Sequence, residues 1–253
     1  MRDTGGFLMA DTTIDYNALA SLVSLSDAYI SCRPEKPCTV AVPSPAAVTS
    51  QAATPATRSP LDSIAAKIAV CTRCGLCNGR TNTVPGIGPA HPVVMVIGEG
   101  PGHDEDIQGK PFVGAAGQLL DKMLGAIKLS RETNCFIANI VKCRPPANRD
   151  PLPEEAAACR SFLDAQISVL KPKMILLVGR IALQNLLETK TGITRIHGQF
   201  FEYNGIPIMA TYHPSALLRT PELKRDAWND LKGFRAKLEE LTGESFTVES
   251  GGN

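Results

Sequence analysis

Three of the eight cysteines in this 253-residue chain recur at two-residue intervals: Cys71, Cys74 and Cys77. Two thiolates two residues apart reach one metal from a single turn. Cys143 follows an apolar, strand-like segment, and Cys159 lies in the helical pattern after it. With Cys71 and Cys74 these two are able to complete a four-sulfur site. On spacing alone, zinc and an iron–sulfur cluster both suit it. Cys77 makes the run Cys-x-x-Cys-x-x-Cys, the start of a ferredoxin motif, but the nearby fourth Cys and its Pro are missing. Cys77 therefore reads as a bystander. Cys135 borders an apolar strand and reads as core, while Cys32 and Cys38 have no evident partners.

A second group of reactive residues stands at strand ends. Val93-Val94-Met95-Val96-Ile97 runs into Gly98-Glu99-Gly100-Pro101-Gly102. The segment 136–141 contains Asn139 and leads into Lys142-Cys143-Arg144-Pro145-Pro146. Another strand leads into Tyr212-His213-Pro214-Ser215. Ligands of open α/β sheets bind beyond the carboxyl ends of the strands. An acid, an amide and an imidazole converging there bind and polarise a planar, hydrogen-bonding ligand. His213 by itself reads equally as a satisfied loop histidine. The glycine loop lacks the dinucleotide spacing, and no phosphate-loop Lys-Ser/Thr follows it. Phe112, in Gly109-Lys110-Pro111-Phe112-Val113-Gly114, is an aromatic in a polar loop. It is either a stacking platform or a buried anchor.

The elements that must position these groups follow from periodicity. Continuous apolar runs at 93–97 and 174–178, each closed by Gly, predict buried parallel strands. Residues 136–141 predict another. Apolar spacing predicts an amphipathic helix over 117–129. Pro153-Glu154-Glu155 predicts a helix start, and the pattern runs to about residue 170. Further helices are expected over 181–187 and from Thr220-Pro221 to about residue 241. Asn204-Gly205 between two short strands is a hairpin signal. Strands alternating with helices predict a three-layer α/β/α sandwich with a mostly parallel central sheet. Residues 103–108 read as part of a long loop.

The domain is expected over 61–245. Residues 1–60 read as an N-terminal extension, a weak helix followed by a Pro/Ala/Ser-rich linker, and 246–253 as a disordered tail. The formal net charge of +1 excludes a polybasic mode of action but leaves local DNA binding open. No stretch approaches the roughly 18 apolar residues of a membrane span, and the first ten residues lack a secretory pattern. A reducing, cytoplasmic setting is expected from the cysteine usage.

Together the motifs make the stretch from about 68 to 241 resemble a family 4 uracil-DNA glycosylase, the iron–sulfur class of the uracil-DNA glycosylase superfamily. The motifs are Cys71-Thr72-Arg73-Cys74, Gly98-Glu99-Gly100-Pro101-Gly102, the 109–114 loop, the segment from Asn139 to Arg149, and His213-Pro214-Ser215. The resemblance implies a [4Fe-4S] cluster on Cys71, Cys74, Cys143 and Cys159. It implies a substrate pocket of Gly98, Gly100, Phe112, Asn139 and Asn148, in which Phe112 stacks on uracil and Asn139 reads its polar edge. His213 would hydrogen-bond the uracil O2, where charge builds as the base leaves. Glu99 is the first choice for a catalytic carboxylate and Glu105 the second; Glu105 alternatively lines the pocket near C5. Arg144, Arg149, Ser215, Leu217, Leu218 and Arg219 are expected on the DNA, with the leucines as an apolar wedge or as the first turn of a surface helix.

The implied partner is uracil-containing DNA, single- or double-stranded, bound by a monomer. The segment after Arg144 carries no His, unlike the covalently trapping relatives, which argues for turnover. His103 stands where members frequently have an acid. Two other functions remain open: a uracil-DNA binding protein without turnover, and an iron–sulfur redox carrier. A carrier needs none of Glu99, Phe112, Asn139 and His213.

Overall fold

A computed structural model describes residues 59–246. The expectations for 1–58 and 247–253 lie outside the described residues. Five strands are present: β1 (Val94–Gly98), β2 (Cys135–Asn139), β3 (Met174–Val178), β4 (Phe200–Tyr203) and β5 (Ile206–Thr211). They form one sheet in the order β2-β1-β3-β5-β4. The first four in that order are mutually parallel, and β4 closes one edge antiparallel to β5.

Successive strand residues point to opposite faces, and each face has its own core. Met95, Ile97, Phe136, Ala138, Ile175 and Leu177 pack on one side. They meet Ile68 of α1 (Pro60–Ala69), Phe162 and Leu163 of α4 (Pro153–Leu170), and Leu183 of α5 (Arg180–Leu186). Val94, Val96, Ile137, Leu176 and Met209 pack on the other. Their partners are Leu120 and Leu124 of α3 (Ala115–Gly125) and Leu231, Phe234 and Leu238 of α8 (Lys224–Thr242). Each fully buried Leu, Ile or Phe contributes roughly 1.5–3 kcal/mol. This is the three-layer α/β/α sandwich expected from the sequence.

The differences are local and have physical causes. Residues 103–108 are not loop but a short helix, α2 (His103–Gln108). Glu105 nucleates it by accepting the Gly102 N–H at 3.0 Å. The helix predicted over 117–129 ends at Gly125. The apolar pattern ran on because Ile127 and Leu129, on either side of the turn at Lys128, whose φ is +52°, both stay buried beyond the helix. Likewise β2 ends at Asn139, yet Ile140 and Val141 remain buried. Their N–H groups donate to Gly98 O and Glu99 O, continuing the pairing past the strand. A 3-10 turn (Pro221–Leu223) precedes α8, which the sequence placed directly after Thr220-Pro221. Two further short helices, α6 (Ile193–Ile196) and α7 (Pro214–Arg219), complete the set. Phe246, expected to start the tail, is buried against the second core. Among the described residues no helix is long and apolar enough to cross a membrane.

The hairpin appears as predicted, with Tyr203 opposite Ile206. Both turn residues have positive φ, +51° at Asn204 and +78° at Gly205. This is the arrangement that suits the twist of a two-residue connection. A branched residue at Gly205 strains it without touching the strand ends. Gly205→Val is therefore expected to lower unfolding stability by about 1–2 kcal/mol, measured as a shift in urea midpoint with the m-value unchanged.

Candidate active site

The sheet order dictates where a site can form. The chain leaves β1 to one side for β2 and returns to the other side for β3, so a crevice opens beyond the ends of β1 and β3. Asn139, Glu99 and His213 all lie along this edge, at the ends of β2, β1 and β5. Three strand spacings of about 4.8 Å separate β2 from β5.

Asn139 is paired with Gly98 across the first spacing. It is 1 % exposed, and its Oδ1 is buried without a hydrogen-bond partner. Such an oxygen costs roughly 1–3 kcal/mol unless something fills the position beside it. It and the Phe112 ring pack this closely against the strand because residue 98 is glycine. A Cβ there would stand 2.6 Å from Asn139 Oδ1 and 2.5 Å from Phe112 Cζ. Gly100 is confined too: its Cβ would stand 2.8 Å from Val141 Cγ2.

Phe112 is a buried residue held in the left-handed region, at φ +54°. Arg131 holds it there, donating to Pro111 O at 2.7 Å and to Phe112 O at 2.9 Å. Asp121 in turn pairs with Arg131 at 2.8 Å. Gly117 lets the loop approach α3, since a Cβ at 117 would sit 2.0 Å from Phe112 O. The ring centre lies 5.7 Å from that of His213.

His213 caps α7. Its Nδ1 receives the Ser215 backbone N–H at 3.1 Å and lies 2.8 Å from Ser215 Oγ. A backbone N–H only donates, so Nδ1 is an acceptor and the neutral ring carries its proton on Nε2. Burial pushes the imidazole pKa down to about 4; Arg219 acts in the same direction and Glu105 against it. At neutral pH this is an uncharged N–H donor. Glu99 is shifted the other way: burial, then the negative charge of Asp150, raises its carboxyl to about 7, against the opposing pull of Arg180. Arg180 and Asp150 are themselves an ion pair.

Glu105 clasps two loops. One oxygen accepts the Gly102 N–H, and the other accepts those of Val113 and Gly114 at 2.9 and 3.1 Å. Arg149 forms a two-pronged pair with Glu155 at 2.7 and 2.8 Å. That bond, followed by the Leu152 N–H, holds the Glu155 carboxyl below its usual range. Arg144 donates to Asn148 Oδ1 at 2.8 Å and stands 3.0 Å from His103 Nδ1. Asn148 is exposed and, like Ala147, has positive φ. The two leucines of α7 divide. Leu217 is 2 % exposed and packs with Tyr212 and Ala227, which departs from the expected DNA contact; Leu218 is 47 % exposed and Arg219 is exposed.

The four predicted cysteine ligands line one cavity, part of it open to solvent. Cys77 lines it too, and Arg73, Arg80 and Lys142 face it. Arg80 donates to Cys143 Sγ at 3.2 Å and to Cys71 O at 2.8 Å. The Lys142 backbone N–H donates to Cys159 Sγ at 3.4 Å. Among the described residues no group of three or more His, Cys, Asp or Glu is arranged to hold a metal ion. A [4Fe-4S] cluster spreads its four thiolates around a larger body than one ion, and Cys thiolates are its usual ligands. An all-sulfur cavity with N–H donors aimed at the sulfurs and no carboxylate in its lining fits that group.

Sequence reasoning did not find Arg131, Arg80, Gln166 or the burial of Lys142. A lysine inside Val141-Lys142-Cys143, directly after an apolar strand, was the one available signal. Arg131, Arg80 and Gln166 lie in ordinary polar stretches and gave none.

The fold is a doubly wound α/β sheet whose strand ends gather an aromatic ring, a buried amide with an unpartnered oxygen, a carboxyl and a neutral imidazole. A family model described as the uracil DNA glycosylase superfamily matches residues 85–232. The chain is 42 % identical to a type-4 uracil-DNA glycosylase of Archaeoglobus fulgidus, over 72 % of this chain and 94 % of that one. It is 41 % identical to the type-4 enzyme of Thermotoga maritima, over 68 % and 91 %. With that of Sulfurisphaera tokodaii it shares 38 % identity, over 75 % and 89 %. The chain belongs to the uracil DNA glycosylase superfamily, in its type-4 branch.

The His213 geometry is directly measurable. In nitrogen-15 NMR spectra His213 is expected as the Nε2–H tautomer, uncharged from neutrality down to about pH 5. Ser215→Ala is expected to mix the tautomers, since one of the two groups holding Nδ1 is lost.

Proposed function

We propose that this protein is a DNA repair glycosylase that hydrolyses the N-glycosidic bond of deoxyuridine, releases uracil and leaves an abasic site. The observation that carries the site assignment is the unpartnered, buried Oδ1 of Asn139 beside the Phe112 ring. Uracil presents N3–H and O4 side by side, and the Asn139 amide answers with an acceptor and a donor. Cytosine presents the reverse pattern and would set donor against donor. The deoxyuridine is flipped out of the stack, at a cost of a few kcal/mol. Phe112 receives the ring by stacking, and Gly98 lets Phe112 and Asn139 come together beside it.

Bond breaking follows from the two shifted groups. As C1′–N1 lengthens, its electron pair moves onto the base and collects at O2. The neutral Nε2–H of His213 donates to O2, stabilising the departing anion without giving up its proton. Positive charge grows at C1′ and O4′, where the Glu99 carboxylate stabilises it and orients a water. The water oxygen bonds to C1′ and its proton passes to Glu99. Glu105 is assigned to holding the 98–102 and 109–114 loops together, because its oxygens are occupied by backbone N–H groups. Leu218 is assigned the wedge role, and Arg144 and Arg219 the phosphates, with Asn148 orienting Arg144. Ser215, Leu217 and Arg149 position His213, α7 and the 144–149 loop respectively.

Cys71, Cys74, Cys143 and Cys159 would hold a [4Fe-4S] cluster. When bound it supplies a structural tie between α4, the end of β2 and the Cys71 turn, close to the DNA face. The cysteine usage supports a cytoplasmic protein, and a monomer is sufficient for every group in the site.

Incubation with a labelled U·G duplex is expected to give alkali-labile strand cleavage; intact DNA sinks the reading. Asn139→Ala is expected to slow single-turnover excision about 10- to 100-fold, the equivalent of a lost buried hydrogen bond. Glu99 is neutral below about pH 7 and ionised above it. The single-turnover rate is therefore expected to rise through about pH 7 and level off above. In Glu99→Gln that limb vanishes and the plateau falls about 100-fold or more. A wild-type rate in that variant removes Glu99 from the mechanism.

A further inference from the structure

Lys142 is the largest fully buried side chain in the domain, at 1 % exposure. Its ammonium donates to Asn139 O at 2.9 Å and to Gln166 Oε1 at 2.8 Å. Both acceptors are neutral. Among the described ion pairs no carboxylate meets it. A buried charge without a counter-charge costs several kcal/mol, so such groups are almost always paired. Lys142 lines the cysteine cavity, whose thiolates are able to supply the negative charge. Its own backbone N–H already points at Cys159 Sγ, and the next residue is Cys143. Four thiolates around a [4Fe–4S]²⁺ core carry a net charge of −2. The other cations at the cavity, Arg73 and Arg80, are partly exposed, where water screens them. Lys142 is not screened.

We propose that Lys142 is the internal counter-cation of the iron–sulfur cluster and the positioning residue that ties cluster loading to the recognition amide of Asn139. This rests on the cluster assignment made above. The connection is short. The backbone N–H of the lysine donates to Cys159 Sγ, and its ammonium holds the carbonyl of Asn139, the residue assigned above to read the base. Gln166 fixes the ammonium from the second side, and its own Nε2 donates to Pro85 O at 2.6 Å. The chain of contacts thus runs from the sulfur ligands through a buried cation to the floor of the pocket. With the cluster in place the ammonium is compensated and holds Asn139. Without it, the same ammonium is an unmatched charge directly beneath the site.

The test uses the holoenzyme purified without air, with Lys142→Met and Lys142→Arg. Iron and sulfide content, the reduction midpoint of the cluster and the rate of its loss to a chelator are measured beside KM and kcat for excision. In Lys142→Met the midpoint is expected to become more negative, since the reduced cluster loses a neighbouring positive charge. Chelator-driven loss is expected to quicken about 10- to 100-fold, and KM to rise more than kcat falls. Lys142→Arg is expected to keep the wild-type midpoint and cluster content. An unchanged midpoint in a loaded Lys142→Met overturns the proposal and leaves the cluster assignment standing. Loss of the cluster in both variants also overturns it, because packing then matters rather than charge. Wild-type protein devoid of iron and sulfide overturns the cluster assignment itself, and this inference with it.

Discussion

Parallel pairing of β1 with β2, in the register that sets Gly98 beside Asn139, is the constraint on which the rest depends. It places an amide side chain against a residue with no side chain at all. That absence lets Phe112 Cζ and Asn139 Oδ1 come within 2.5 and 2.6 Å of where a Cβ would stand. Every other part of the site is arranged around that close approach. Arg131 and Gly117 fix the aromatic loop, and Glu105 links it to the glycine loop. The ordering of β1, β3 and β5 brings His213 to the opposite side. Shift the register by one residue and Asn139 turns to the other face of the sheet.

Electrostatics then divides the labour between two groups at the same strand-end edge. Burial keeps His213 neutral and brings Glu99 close to half-ionisation at neutral pH. The imidazole becomes a donor that does not surrender its proton, and the carboxyl a group able to accept one. A cationic histidine would bind an anionic leaving group more tightly. It would also cost more to bury, and the structure favours the cheaper, neutral form.

The sheet, its order of burial and the hairpin were legible in the sequence because they depend on period and on turn chemistry. Apolar runs closed by Gly98 and Gly179, and the Asn204-Gly205 pair, carry that information in adjacent residues. Helix ends were less legible. Ile127, Leu129, Ile140 and Val141 are buried outside the elements whose patterns they extend, so hydrophobicity overstated the lengths. The site divided in the same way. Asn139, His213, Phe112 and the cysteines stood out by type and motif, and the structure brings the first three to the strand-end edge and the four predicted cysteine ligands to one cavity. Leu217 and Leu218 did not, because adjacent helical residues stand about 100° apart and no motif says which faces solvent. Arg131, Arg80 and Gln166 act only through partners distant in the chain, and single-sequence reasoning has no purchase on such contacts.

The left-handed backbone of Phe112 sets fold against site. A non-glycine residue there costs roughly 1–2 kcal/mol, which glycine would recover. Random drift toward a sturdier domain therefore presses steadily on this position, and glycine is its natural destination. Glycine, however, has no ring to offer a flipped base. Wherever the aromatic persists in descendants of this chain, purifying selection on the pocket has outweighed selection for a relaxed backbone. A lineage that lost the need for the pocket would be expected to show it first here.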